Sequence, residues 1–180
     1  MEFDLETAAA LLARTPAALD ALLRDLPDEW VLRNEGGDSW SAFDIVGHLI
    51  HADRTDWLVR ARTILEYGEA REFPPFDRLG QRDASKGKDL GQLLDEFAAV
   101  RAESLRELKE LGLSGMDFER RGLHPAFGTV KMSELLATWT AHDLNHLHQL
   151  ARVMAHQYRG AVGPWSAYLG VMSCSGHSGS

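Results

Sequence analysis

The stretch from Trp139 to Ala151 reads WTAHDLNHLHQLA and places three histidines within seven residues. On an α-helix, positions i and i+4 lie one turn apart on the same face, so His142 and His146 can present imidazole nitrogens to a single point. His148 follows His146 by two residues, is rotated from it by about 200°, and points to another face. Leu135, Trp139, His142, His146, Gln149, Leu150 and Val153 form one stripe, which should turn toward a core. Imidazoles stacked in a core, with no carboxylate in the stripe, are costly unless something accepts their lone pairs. A divalent cation would accept them. Asp143 and Gln149 flank the pair, and either can orient a ligand from behind. The plainer alternative is a solvated Asp143 and a Gln149 that closes a polar pocket.

Two ligands do not make a strong site, so a third must come from another element. The segment WSAFDIVGHLIHAD offers His48 and His51. His48 shares a stripe with Ile45, Leu49, Ala52 and Val59, whereas His51 lies with Asp44, Arg54 and Thr55. His48 is therefore the inward residue and His51 a rim residue. His124 precedes a proline in GLHPAFG, and the sequence does not place it relative to the others. With Arg120 and Arg121 it is a candidate to grip an anionic group, against the alternative of a solvated charged turn. His156, near the end of the last long helix, suits a helix C-terminus. A metal-free polar cluster of inward histidines stays open beside the metal reading.

Four segments with helical periodicity must position these groups: roughly Asp4 to Leu26, Ser41 to Tyr67, Asp89 to Leu111, and Thr129 to Tyr158. Ser41 and Asp44 have the spacing of a capping box, which fixes the start of the second. In the third, Leu90, Leu93, Leu94, Phe97, Val100, Arg101, Leu105 and Leu108 form the inner stripe and acidic and basic residues fill the other face. Two long connections, EAREFPPFDRLGQRDASKGK and GLSGMDFERRGLHPAFG, separate the later segments, and no stretch alternates with period two. The expected fold is all-α: an antiparallel four-helix bundle with long crossover connections and a short element near Trp165 to Val171. Residues 1–172 are expected to be one domain and 173–180, a Ser/Gly-rich tail holding Cys174 and His177, to be disordered. Leu144, Leu147, Ala151 and Met154 make a second stripe, available to a neighbouring helix or to a homodimer.

With 180 residues and a formal charge of −8 without a basic stripe, nucleic acid is not an expected partner. The single cysteine excludes an internal disulfide and a cysteine-based zinc finger. The acidic start MEFDLETAAALLART signals neither export nor membrane insertion, so the expected location is cytoplasmic. No E-x-x-H occurs, which excludes a ferritin-like di-iron site, and there is no C-x-x-C-H or G-x-S-x-G.

A Trp-Ser pair followed by a histidine eight residues after the Trp (Trp40, Ser41, His48), together with W-x-x-H-x-x-x-H-x-x-Q (Trp139, His142, His146, Gln149), resembles the DinB-like superfamily of metal-binding four-helix bundles. The resemblance runs from about Asp4 to Val171, and HPAFG and GPWSAYL place it in a bacterial branch other than the better-known thiol transferases. It implies a three-histidine site of His48, His142 and His146. It also implies activities such as transfer of bacillithiol or mycothiol onto electrophiles, thiol-dependent isomerisation, or metal-dependent hydrolysis. The expectation is a metal-dependent enzyme that uses a small thiol or water against a small electrophilic substrate. A non-catalytic metal-binding or stress-response module is the alternative. Imidazole ligands suit several divalent ions, with zinc the first expectation and nickel the second. Trp40 and Trp139 are expected to line the cavity, or else simply to fill the core.

Overall fold

A computed structural model describes residues 2–173, so Cys174, His177 and most of the expected tail lie outside the described residues. The first helical segment is two helices, α1 (Leu5–Leu12) and α2 (Thr15–Leu23). Asp4 caps α1 by accepting from the Thr7 amide at 2.7 Å, and Pro16 occupies the first turn of α2, where its missing N–H costs nothing. After the short α3 (Asp28–Val31), α4 runs from Ala42 to Thr55. Its start is the expected capping box, with the Asp44 amide donating to Ser41 Oγ (3.2 Å) and the Ser41 amide to Asp44 Oδ2 (2.9 Å). Ser41→Ala should destabilise the fold by about 1 kcal/mol in urea unfolding, because the Asp44 amide loses its acceptor. An unchanged midpoint would show that water replaces the hydroxyl at no cost.

The segment expected as one helix to Tyr67 breaks at Asp56, after which α5 spans Trp57–Tyr67. Asp56 pairs with Arg60 at 2.6 Å, and both are buried. The first crossover contains α6 (Gly80–Ala84), which lies so close to α4 that a Cβ on Gly47 would meet Ser85 Oγ at 2.6 Å. Next comes α7 (Leu90–Glu110), with Asp89 and Gln92 forming a second capping box.

The second crossover departs from expectation. It contains an antiparallel hairpin of β1 (Arg121–His124) and β2 (Gly128–Lys131), paired from Arg121 with Lys131 to His124 with Gly128. Strands of four residues are too short to show period-two alternation, and the residues assigned to the start of the last helix belong to β2. That helix, α8, begins at Met132 and ends at His156. The hairpin is held to the first crossover by a parallel bridge between Glu72 and Leu123, and by the Phe73 amide donating to Leu123 O at 2.9 Å. Gly122 permits that approach, since a Cβ there would lie 2.6 Å from Ile64 and 2.7 Å from Phe73. The expected C-terminal element is a 3-10 turn (Gly163–Tyr168) and α9 (Gly170–Ser173), the latter against α8.

The long helices form the four-helix bundle: α4 packs on α7 and α8, α1 on α8, α2 on α7 and α5 on α8. Of the second stripe, Leu147 and Met154 pack against the core, whereas Leu144 lies exposed beside Phe3 and Leu11 of the α1 region. The core has two apolar clusters. One gathers Leu19, Leu23, Ile45, Leu49, Phe97, Leu150 and Val153; the other gathers Leu12, Trp57, Ile64, Phe73, Leu108, Leu136 and Trp139. Along α7 and α8 a polar layer separates them, containing Arg101, His142, Asp143 and His146, and Asp53 joins it from α4. Among the described residues no helix is long and apolar enough to cross a membrane.

Candidate metal centre

The polar layer brings together the three histidines that the helix stripes allow and the family resemblance implies. His48 comes from the middle of α4, and His142 and His146 come from successive turns of α8. Nε2 of His142 lies 3.1 Å from Nε2 of His48 and 3.0 Å from Nε2 of His146. Their ligand atoms all fall within 4.8 Å of one another, the only such histidine-containing group among the described residues.

Aromatic rings wall the cluster. Trp40 stacks nearly parallel to His146 at 6.0 Å and lies 4.7 Å from His48. Phe76, in the first crossover, meets His48 edge-on at 5.6 Å, and Trp57 meets His142 edge-on at 5.1 Å. His146 is 0% exposed and His48 4%, whereas His142 is half-buried. Burial lowers all three imidazole pKa values, His48 to about 3 and His142 to about 2; repulsion from neighbouring histidines adds to the effect at these two, whereas Gln149 and Asp143 work against it at His146. The three rings are therefore neutral at pH 7, the form in which imidazole offers a lone pair.

The tautomers decide what the cluster lacks. His146 Nδ1 lies 2.8 Å from Gln149 Oε1, and donation there leaves the His146 Nε2 lone pair facing His142. A single proton on His142 Nε2 can point at His146 or at His48, not both, and a proton on His48 satisfies only the other contact. One of the two short contacts thus sets lone pair against lone pair, or N–H against N–H. A cation accepting all three lone pairs removes the conflict, and zinc–nitrogen bonds of about 2.0–2.1 Å at tetrahedral angles set neighbouring nitrogens about 3.3 Å apart, close to the distances found. His48 Nδ1 and His142 Nδ1 are buried without a hydrogen-bond partner, and with Nε2 turned to a cation each would carry the ring proton.

The remaining expected residues are placed as follows. Gln149 sits behind His146. Asp143 is neither solvated nor bonded to a histidine: it is 2% exposed, and its carboxylate accepts from Nη1 and Nη2 of Arg101 on α7. Arg101 also donates to Asp53 on α4 through Nε (2.6 Å) and Nη2 (3.0 Å), and to Leu12 O at the end of α1 (2.9 Å). Trp40 is a direct wall, while Trp139 stands one ring behind, stacked on Trp57 at 6.0 Å with its indole N–H donating to Asp53 at 3.1 Å. Arg120 and His124 are not brought to the histidines. Arg120 donates to Leu65 O at the end of α5 and pairs with Asp117, and His124 stacks on Phe127 and accepts from the Ala126 and Phe127 amides of the hairpin turn. β1 takes His124 into the hairpin turn, and Arg120, just before the strand, is turned to the end of α5. His51 is a rim residue, half-buried against Phe76 at 5.2 Å, and His148 is exposed.

Sequence reasoning missed Trp57, Phe76, Asp53 and Arg101. For Arg101 a signal was present, since a lone cation within an otherwise apolar helix stripe is almost never buried unless paired.

An all-α bundle with three inward histidines on its second and last long helices defines a class of protein, and the sequence comparison identifies it. The chain matches the DinB superfamily over residues 11–150 and belongs to that family. Among solved structures it is similar to YfiT from Bacillus subtilis, described as a probable metal-dependent hydrolase with an unusual four-helix bundle topology. The TM-score is 0.68 at 17% identity, with 87% of each chain covered. No curated protein matches the sequence.

Proposed function

We propose that His48, His142 and His146 hold one divalent transition metal, zinc first and nickel second, in an enzyme that acts on a small electrophilic substrate with water or a small thiol as nucleophile. The convergence of three neutral imidazoles, with Nε2 of His142 3.1 Å from that of His48 and 3.0 Å from that of His146, carries this reading. An ion held by three uncharged imidazoles keeps its full charge and supplies Lewis acidity toward water or a thiol. The chain's own groups do the rest. Trp40, Trp57 and Phe76 exclude bulk water from the cluster, Gln149 fixes the ring of His146, and the half-buried flank of His142 is the approach for substrate. Hydrolysis has the support of the YfiT likeness in fold, and thiol transfer would draw on the same ion, beside which a thiol ionises.

The test is elemental analysis of protein purified without a metal-affinity step, beside His146→Ala. About one transition-metal ion per chain is expected in the native protein, and the variant should lose it while staying folded. Native protein that carries no metal and takes up neither added zinc nor added nickel would reduce the histidines to a polar cluster and remove the chemistry.

A further inference from the structure

Arg101, Asp53 and Asp143 form an ion cluster in the middle of the bundle, with side-chain exposures of 1%, 0% and 3%. A guanidinium has five N–H donors in a planar fork. All five are used here: three on Asp53 and Asp143 through Nε and Nη2, and two on Asp143 and Leu12 O through Nη1. The cluster joins α1, α4, α7 and α8, and two of these carry the histidines: Asp53 lies five residues after His48, and Asp143 lies between His142 and His146. Geometrically it is complete. Electrically it is not, because two carboxylates face one guanidinium.

A buried excess charge is expensive unless an opposite charge lies within reach. Among the described residues, those bonded to or stacked on the cluster supply none. Trp139 gives only an indole N–H to Asp53, Phe97 and Trp139 lie against the guanidinium as neutral rings, and the three histidines are uncharged. Asp143 lies on α8 between the two histidine turns and Asp53 on α4 about one turn and a half beyond His48, so the convergence of the three histidines adjoins the same layer.

We infer that the Asp53–Arg101–Asp143 cluster supplies the negative counter-charge for the ion at the three histidines, in addition to holding α4 and α8 in register. The counter-charge then comes from α4 and α8, the helices that carry the histidines, and Arg101 of α7 holds their two carboxylates in place. The inference rests on the metal reading above.

The experiment measures Zn2+ affinity by chelator competition, together with the thermal midpoint of the metal-free form. Four proteins are compared: the native chain, Asp53→Asn, Arg101→Lys, and a triple variant with Asp53→Asn, Arg101→Met and Asp143→Asn. Asp53→Asn removes the excess charge and keeps the size, so affinity should fall about tenfold or more. Arg101→Lys keeps the excess charge but loses the fork, so the midpoint should fall while affinity stays within about threefold, a separation that a purely structural role would not give. The triple variant replaces the cluster with neutral groups of similar volume, a change that buried ion clusters often tolerate. It decides the matter if Asp53→Asn does not fold, and it too should bind at least tenfold more weakly. Native affinity in the charge-neutral variants, or equal losses in Arg101→Lys, would overturn the counter-charge. A native chain that binds no zinc would overturn the metal reading and the counter-charge with it.

Discussion

Arg101→Met alone should destabilise the metal-free protein by about 3–5 kcal/mol, the largest loss expected from one surface-silent substitution in this chain. Methionine fills the volume but abandons Asp53 and Asp143 in a layer where neither reaches water, and it leaves Leu12 O without a donor. The cost comes from the stranded carboxylates rather than from lost attraction. For a chain of this size the thermal midpoint should fall by on the order of 10 °C. Urea unfolding followed by tryptophan fluorescence measures the loss, since Trp57 and Trp139 lie at the same layer. A loss below about 1 kcal/mol would mean that water already enters the cluster. The same methionine in the neutral triple variant should be tolerated, so the pair of results separates buried charge from packing.

The second large effect is acid sensitivity. The folded-state pKa values of His48 and His142 are depressed to about 3 and about 2, against an ordinary value of 6.5, and that of His146 is lowered too, all chiefly by burial. A histidine buried neutral contributes stability that is fully present above pH 6.5 and is lost as pH falls toward its folded value. Each group contributes a slope of about 1.4 kcal/mol per pH unit in that window. Two carboxylates oppose this: burial raises Asp56 to about 6, with Arg60 acting against the rise, and also raises Asp53. A raised carboxylate loses stability as pH increases from its unfolded value through its folded one, so three histidines are set against two acids and the net trend is loss in acid. Urea midpoints of the metal-free protein should therefore drop from pH 7 to pH 5, and His142→Gln should make the profile shallower. A flat profile would mean that the histidines are hydrated. Protons and a metal compete for the same nitrogens, so a loaded protein should also release its ion over this range.

Several of these elements could be read from the chain because their signals are local. The capping box at Ser41 fixes α4, and with it the inward face of His48; the spacing of His142 and His146 on a long apolar stripe fixes the other half of the site. What escaped the sequence depends on neighbours far along the chain. The break at Asp56 answers to Arg60 and to packing on Phe73, and the hairpin answers to residues 72 and 73 of the other crossover. Arg120 and His124 were drawn toward the site by their charge alone, and nothing in their own stretch shows that a short strand turns them elsewhere. Arg101 sat in plain view within its stripe, but its partners lie 48 and 42 positions away, beyond any local pattern.

The contact between His48 and His142 joins residues 94 positions apart. On a growing chain, α1 to α7 can collapse around Leu19, Ile45, Leu49 and Phe97 with His48 as a solitary imidazole, while Asp53 and Arg101 pair in advance. The three-histidine cluster comes into existence only when α8 docks on the helices made before it. An ion held there as proposed would therefore not template the early fold of this chain. It would select for the finished bundle, and any truncation before His142 removes two of the three histidines.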